Sequence, residues 1–265
     1  MGYKLKVFNH IAEKIDGIQP GFYIVAGETN VGKTAFLTNL FLDILESNPE
    51  TSGIYFSLDD TKDIIIDRFL GIKTSLPLNE VKRKQSDPER RNRLDKEYEQ
   101  LISWAKDERI DIKDVSEIDG IEELQKEIKE RPEELFVVID GLYNLEMGGR
   151  FDSIREENIQ RANNIKTLVD TYSIPIICTG ELRKRDQQIK RDQPRTIDDL
   201  METGKFAYNA NLVLLLYPEK YRDYNTSDEP YLILEFAKNK LSAIRDKVQL
   251  KFIRTTGKIL EGRAS

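Results

Sequence analysis

The chain contains the eight-residue segment Gly27-Glu28-Thr29-Asn30-Val31-Gly32-Lys33-Thr34, which has the pattern G-x-x-x-x-G-K-T of a phosphate-binding loop. A strand-like apolar run precedes it at residues 21–26, and a run with helical periodicity follows it at residues 35–45. Such a loop needs this context, because its backbone N–H groups and the dipole of the following helix both act on the phosphate. We interpret the segment as a nucleoside triphosphate site in which Lys33 reaches the β- and γ-phosphates and Thr34 binds Mg²⁺. The alternative is a glycine-rich turn that only joins a strand to a helix.

Composition limits the classes of protein to consider. The chain has 265 residues, a formal net charge of −6, one cysteine and one histidine. This length suits one large domain or two small ones with a full hydrophobic core, and the acidic balance gives no global basic field that attracts nucleic acid. A single cysteine excludes a disulfide framework, and the sequence shows no membrane-spanning apolar run and no signal-peptide core. We therefore expect a soluble, cytoplasmic protein without a membrane partner.

Predicted strands alternate with predicted helices through most of the chain. The strands are expected at residues 21–26, 53–58, 110–115, 135–140, 174–179, 212–217, 231–238 and 247–253. This alternation favours an α/β fold with a mainly parallel, doubly wound sheet and helices on both faces. A short basic segment joins the last two strands, so we expect a C-terminal antiparallel hairpin at the edge of the sheet.

Two acidic residues follow apolar strands, at the sheet edge where open α/β folds bind ligands. Hydrolysis of a nucleotide needs a carboxylate for Mg²⁺, a residue that orients water, and a cation for the developing charge. Asp140 fits the first role and Asp59 is the candidate for the second. The alternatives are that Asp140 caps the next turn and that Asp59 is the N-cap of the following helix. Asp60 is a weaker rival for both roles.

Six segments, in order and spacing, resemble the C-terminal ATPase domain of DnaB-type replicative helicases, which are RecA-like ring helicases. They are residues 16–21 with 24–27, 56–59, 137–140, 174–177 with 181–184, 199–204, and 237–240. The resemblance implies a RecA-like fold, ATP and Mg²⁺ as substrate and cofactor, and a homo-oligomeric ring, usually a hexamer. It also implies single-stranded DNA as a partner, with a primase or a loader protein as candidate protein partners. Residues 1–20 are then a linker-like segment and residues 21–265 the ATPase domain.

The resemblance also assigns roles to individual residues. Asp59 takes the place of the catalytic acid, Glu181 the place of the γ-phosphate sensor, and Lys238 and Lys240 the places of a pair that acts on the neighbouring subunit's nucleotide. The implied DNA-binding residues are Arg183, Lys184, Arg185, Glu202 and Gly204.

Four positions in the matching segments depart from the family pattern. Asp59 replaces a glutamate and is one methylene shorter, and Glu181 replaces a glutamine and so brings a negative charge to the γ-phosphate. Lys240 replaces an arginine and lacks its planar fork, while Met201 replaces a DNA-contacting arginine and has no charge for a phosphate.

Two functions from different classes fit this sequence. The first is an ATP-driven motor that holds single-stranded DNA in a central channel, with residues 181–195 as a contact loop because they carry six basic and three acidic side chains. The second is a RecA- or KaiC-like regulatory or scaffold ATPase without unwinding activity. The four departures and the acidic net charge favour the second, and the order of the motifs favours the first.

Overall fold

The computed structural model describes residues 2–83, 87–118, 120–131, 134–182, 195–200 and 204–262 of the chain. Within these residues the strands are β1 (Gly21–Gly27), β2 (Ser52–Ser57), β3 (Ile110–Asp114), β4 (Leu135–Asp140), β5 (Pro175–Glu181), β6 (Leu212–Pro218), β7 (Tyr231–Asn239), β8 (Lys247–Ile253) and β9 (Lys258–Glu261). They form one sheet in the order β3-β2-β4-β5-β1-β6-β7-β8-β9. The pairs from β3 to β6 are parallel and those from β6 to β9 are antiparallel.

Helices cover both faces of this sheet. They are α1 (Asn9–Ile15), α2 (Lys33–Ser47), α3 (Lys62–Thr74), α4 (Leu78–Val81), α5 (Pro88–Lys106), α6 (Ile121–Lys129), α7 (Ile154–Tyr172), α8 (Gly204–Asn209) and α9 (Tyr221–Thr226). In the part of the chain that the structure describes, none of them is long and apolar enough to cross a membrane.

Strand β1 shows why the central strands are apolar throughout. Tyr23 and Val25 point into a hydrophobic cluster that includes side chains of α1, α2 and α3. Their neighbours Phe22, Ile24 and Ala26 point into a second cluster, which includes side chains of α6 and α7. Successive residues of a strand face opposite sides of a sheet, so a strand between two cores has no polar face. The predicted mainly parallel, doubly wound α/β fold is confirmed.

The C-terminal end of the sheet differs in one respect from the expectation. Strands β7 and β8 form the predicted antiparallel hairpin, but they are not the edge of the sheet, because β9 pairs with β8 and adds a further antiparallel strand. The prediction missed β9 because it has only four residues, too few for a clear alternation of apolar and polar side chains.

The segment before β1 packs on the same core as α2. Its apolar side chains Leu5, Phe8, Ile11 and Ile15 belong to the first cluster. The carboxylate of Asp43 in α2 accepts hydrogen bonds from the backbone N–H groups of Lys6, Val7 and Phe8 at 2.9–3.0 Å. This buried carboxylate therefore fixes the start of α1. The division of the chain into residues 1–20 and residues 21–265 stays a prediction.

Candidate nucleotide site

The phosphate loop joins β1 to α2, and its shape depends on two glycines. A Cβ atom on Gly27 would lie 2.6 Å from a side-chain carbon of Val31 and 2.7 Å from the backbone oxygen of Leu216, so no larger residue fits. Gly32 has a φ of +106°, a left-handed conformation that side chains disfavour. The predicted strand, loop and helix are therefore all present, and both glycines of the pattern have a structural cause.

Lys33 is the first residue of α2, and its ammonium turns back onto the loop. Lys33 Nζ donates to the backbone oxygens of Gly27 and Glu28 at 3.2 and 3.1 Å. It also lies 3.9 Å from Glu181 Oε1. Burial lowers the pKa of Lys33, and the negative charge of Glu181 is the largest effect that opposes this. The ammonium is thus partly desolvated and surrounded by acceptors that a phosphate can replace.

Asp140 is the last residue of β4 and is buried. The hydroxyl of Tyr55 donates to Asp140 Oδ2 at 3.0 Å. Burial raises the pKa of Asp140, and hydrogen bonds from Thr34 and Tyr55 oppose this rise. A carboxylate beside a threonine hydroxyl offers the hard oxygen ligands that Mg²⁺ prefers, so these residues fit the predicted metal. The described residues contain no group of three or more histidine, cysteine or acidic side chains that would hold a metal by themselves.

Asp59 follows β2 and lies against the turn that follows β4. The amide of Asn144 donates to Asp59 Oδ1 and, at 3.3 Å, to the backbone oxygen of Leu58. A Cβ atom on Gly141 would lie 3.1 Å from the Asp59 carboxylate carbon, so the glycine leaves room for this side chain. Burial raises the pKa of Asp59, and the negative charge of Glu181 raises it further. The hydrogen bond from Asn144 fixes the carboxylate, and burial together with the Glu181 charge makes it a stronger base than a solvated carboxylate.

The alternative role of Asp59 as a helix N-cap is wrong. Helix α3 begins at Lys62 and its N-cap is Thr61, so Asp59 lies two residues too early to cap it. Its rival Asp60 forms an ion pair with Arg68 at 2.9 Å. The charge of Asp60 is therefore already balanced, which favours Asp59 as the carboxylate that acts on water.

A cavity of about 860 Å³ brings these side chains together. Lys33, Thr34, Asp59, Asp140 and Glu181 all line it. It lies where β1, β2, β4 and β5 end, which is the expected place for a ligand in an open parallel sheet. Its volume falls within the range of small-molecule sites. The five residues that the sequence placed on different strands and loops therefore share one site.

Sequence reasoning missed an aromatic part of this cavity. Tyr224 in α9, Phe252 in β8 and Arg254 line it beside the phosphate loop. The Arg254 guanidinium lies 4.0 Å from the centroid of the Tyr224 ring, and the Tyr224 hydroxyl donates to the backbone oxygen of Asn30. The available signals were the tyrosines near residue 221 and the run Phe252-Ile253-Arg254, and neither has a spacing specific to nucleotide sites.

Lys238 and Lys240 do not line the cavity of their own chain. Their ammonium groups donate to the backbone oxygen of Tyr208 at 2.9 and 3.2 Å, and Lys238 also donates to that of Ala207. Both acceptors lie at the C-terminal end of α8, where helix carbonyls attract cations. Burial and the charge of Lys240 lower the pKa of Lys238 to about 8.

Most of the predicted DNA-binding residues lie outside the described residues, namely Arg183, Lys184, Arg185 and Glu202. Gly204 is the first residue of α8. Of the six basic side chains counted in the contact loop over residues 181–195, Arg195 is described and is buried, with 8% of its surface exposed. Arg195 points inward because it pairs with the carboxylate of Glu28 in the phosphate loop.

Comparison with known proteins agrees with this fold. The chain matches the model of the DnaB-like helicase C terminal domain over residues 6–261. It is 24% identical over 255 residues to the replicative DNA helicase DnaB of Geobacillus stearothermophilus, which covers 93% of this chain and 55% of that protein.

Two solved structures share the fold at 20% sequence identity and a TM-score of 0.84. One is a separate ATPase domain, with 98% of this chain and 93% of that chain covered. The other is a DnaB-like replicative helicase described with its interactions with primase, with 98% and 63% covered. The expected RecA-like fold is confirmed, and the chain spans about half the length of the curated relative that it matches. Because the family model covers nearly the whole sequence, the chain belongs to the family of DnaB-like helicase C-terminal domains.

Proposed function

We propose that this chain is the ATPase domain of a replicative DNA helicase, a ring motor that binds single-stranded DNA and hydrolyses ATP. The observation that carries the proposal is the convergence of Lys33, Thr34, Asp59 and Asp140 on one cavity in a member of the DnaB-like family. These are the groups that phosphoryl transfer to water needs: a phosphate cradle, two metal ligands and a carboxylate for the nucleophile.

ATP and Mg²⁺ are the proposed substrate and cofactor. On binding, phosphate oxygens take the place of the two backbone acceptors that now hold Lys33. The ammonium then neutralises charge on the β- and γ-phosphates. Thr34 and Asp140 would hold Mg²⁺, which, when bound, neutralises further negative charge on the phosphates.

Asp59 is proposed to orient the attacking water and to accept its proton. Its raised pKa suits a general base, because a base with a pKa closer to neutrality takes up a proton more readily. The hydrogen bond from Asn144 holds its carboxylate in one orientation. Glu181 also lines the cavity, 3.9 Å from Lys33 Nζ, and we propose that it lies near the γ-phosphate and slows turnover by charge repulsion.

Tyr224, Phe252 and Arg254 are proposed to contact the base of ATP. They line the cavity, where Tyr224 donates to the backbone oxygen of Asn30 and Phe252 lies against Gly32 of the phosphate loop. Aromatic rings and a guanidinium plane stack on a purine without needing a specific hydrogen-bond pattern. The Arg254 guanidinium lies 4.0 Å from the centroid of the Tyr224 ring, and this pair provides a planar surface on which a base can stack.

Lys238 and Lys240 are proposed to act on the nucleotide of a neighbouring subunit in a hexameric ring. They lie outside their own cavity but form a pair of cations that α8 holds in place. A lysine neutralises a phosphate as a point charge but lacks the two-pronged contact of arginine. We therefore propose that they stimulate turnover, but less than arginine would.

Single-stranded DNA is the proposed polymer partner, and a primase is the proposed protein partner. Arg183, Lys184 and Arg185 supply positive charge for the DNA phosphates, and Glu202 and Gly204 are proposed to contact the strand as well. The primase proposal draws on the solved DnaB-like helicase that is described with its primase interactions. A loader protein and a cytoplasmic location stay predictions.

The alternative is a regulatory or scaffold ATPase that turns over slowly and unwinds no DNA. One observation favours it: the Glu181 carboxylate lies 3.9 Å from Lys33 Nζ, the ammonium proposed to bind the β- and γ-phosphates. Its repulsion reduces both ATP affinity and hydrolysis.

ATP turnover with and without single-stranded DNA separates these functions. We expect oligomeric chain to hydrolyse ATP severalfold faster with the DNA, and this stimulation to decline steeply with added salt, because binding releases counterions. Replacement of Arg183, Lys184 and Arg185 together by glutamine should remove it. A control with the same loss of charge replaces Arg91, Lys96 and Lys106, all exposed on α5, and should keep it. Turnover that does not respond to DNA, in chain that does not bind it, contradicts the motor and favours the regulatory ATPase.

A further inference from the structure

A charge pair connects the phosphate loop to residues 195–200. Arg195 Nε donates to Glu28 Oε1 at 3.0 Å, and Arg195 Nη2 contacts the same oxygen. The hydroxyl of Tyr221 in α9 donates to that oxygen at 3.1 Å. Three donors from two separate elements thus converge on one oxygen of a residue in the phosphate loop.

Glu28 puts a negative charge into a loop that has to bind a polyanion. Its backbone oxygen accepts a hydrogen bond from Lys33 Nζ at 3.1 Å. Burial lowers the pKa of Lys33, and the Glu28 carboxylate is among the negative charges that oppose this lowering, after Glu181, Asp140 and Asp59. The Glu28 carboxylate therefore interacts electrostatically with the ammonium of Lys33. The same carboxylate would repel nucleotide phosphates bound beside Lys33, and this repulsion is stronger near a partly buried site than in water.

The surroundings of Arg195 indicate that its ion pair with Glu28 is a structural feature of the fold and not a chance surface contact. Arg195 is buried, and burial of a guanidinium is costly unless a carboxylate balances it. Besides Glu28, it approaches Asp199, whose Oδ1 lies 3.9 Å from Arg195 Nη1. In the described part of the chain Glu28 is not among the residues that line the nucleotide cavity, so its side chain turns toward Arg195 and Tyr221.

We propose that Arg195 and Tyr221 are positioning residues for nucleotide binding, which neutralise Glu28 and hold its carboxylate away from the phosphates. This inference rests on the proposed binding of ATP. Neither residue touches the reacting atoms, because both act through Glu28. Loss of Arg195 leaves the Glu28 charge uncompensated, and the resulting penalty on binding grows with the negative charge of the ligand.

The test is a double-mutant cycle in which binding is measured for ligands of different charge. The dissociation constants of a non-hydrolysable ATP analogue, ADP and adenosine are compared for the wild type, Arg195→Gln, Glu28→Gln and the double variant. We expect Arg195→Gln to weaken the ATP analogue roughly tenfold, ADP less, and adenosine hardly at all. Adding Glu28→Gln should restore binding close to the wild-type value, because the unpaired charge is gone. The control is Arg222→Gln, which removes an exposed charge next to Tyr221 and should change none of the three.

Equal weakening of all three ligands, or no rescue by Glu28→Gln, would overturn the inference in favour of a purely structural pair. If Arg195→Gln does not fold, Glu28→Gln alone still tests it. That variant should bind the ATP analogue at least as tightly as the wild type, and weaker binding, with adenosine unchanged, contradicts the proposal. If the wild-type chain binds no ATP, the proposed function itself is contradicted. If the wild type binds ATP and Arg195→Gln binds it equally well, only this inference is contradicted.

Discussion

Replacement of Lys33 by alanine is expected to abolish ATP turnover, with a loss of about 10²-fold or more in kcat and weaker binding of ATP. The physical reason is that Lys33 lines the cavity and its ammonium is partly buried, which strengthens its attraction for phosphate. Phosphate release and nucleotide binding are measured on the same preparation. The fold should persist, because among the described residues the hydrogen bonds of this side chain go to the backbone of its own loop and its ion pair with Glu181 is long, at 3.9 Å.

The control for Lys33 is Lys106→Ala, at the exposed end of α5. This change removes the same charge far from the cavity and should leave kcat unchanged. Hydrolysis at the wild-type rate by Lys33→Ala would show that the phosphate loop is not the site of turnover.

Asp59→Asn is expected to keep ATP binding and to lose hydrolysis, by about 10²- to 10⁴-fold in kcat, the range typical of a lost general base. An amide keeps the size of the side chain but cannot accept the proton of the attacking water. Asp59→Glu should instead raise the rate, because one further methylene extends the carboxylate into the cavity that Asp59 lines. Single-turnover hydrolysis and ATP binding, measured separately, distinguish the two effects.

Asp63→Asn is the matched control for Asp59. It changes an exposed carboxylate in the first turn of α3 and should affect neither binding nor turnover. Unchanged hydrolysis in Asp59→Asn moves the role to Asp60 or Glu181. A wild-type chain that binds ATP but shows no hydrolysis is instead a nucleotide-binding protein without turnover.

Local sequence was sufficient for the central part of the site. The phosphate loop was predictable because its two glycines are required by contacts and backbone angles within a few residues. Asp140 was predictable because a strand buried on both faces has only apolar residues, so the first carboxylate marks the end of the strand. Asp59 followed from the same argument.

The remainder depends on contacts between distant parts of the chain. Helices α8 and α9 have six residues each, too few to show helical periodicity, so no sequence pattern places Tyr224 beside the phosphate loop. Arg195 looks exposed in the sequence because its neighbours there are basic and polar. Its partner Glu28 is 167 residues away, and no local pattern reveals that the two meet.

The central claim is that each nucleotide site is completed by a second subunit, whose Lys238 and Lys240 act on the bound nucleotide. A mixing experiment tests this claim most directly. One chain carries Lys33→Ala, and the other carries Lys238→Ala with Lys240→Ala. The first should be inactive by itself and the second weakly active. The two lysines lie outside the cavity of their own chain, so under this proposal they serve the phosphate loop of the neighbouring chain. A mixed ring therefore contains some interfaces in which the intact phosphate loop of one chain meets the intact lysines of the other.

We predict that ATP turnover per chain recovers on mixing to a substantial fraction of the wild-type value, and that it rises with total concentration as rings form. Wild-type chain mixed with Lys33→Ala serves as the reference for co-assembly. No recovery, in mixtures shown to contain both chains in one ring, would contradict action of Lys238 and Lys240 on a neighbour's nucleotide and with it the proposed ring motor.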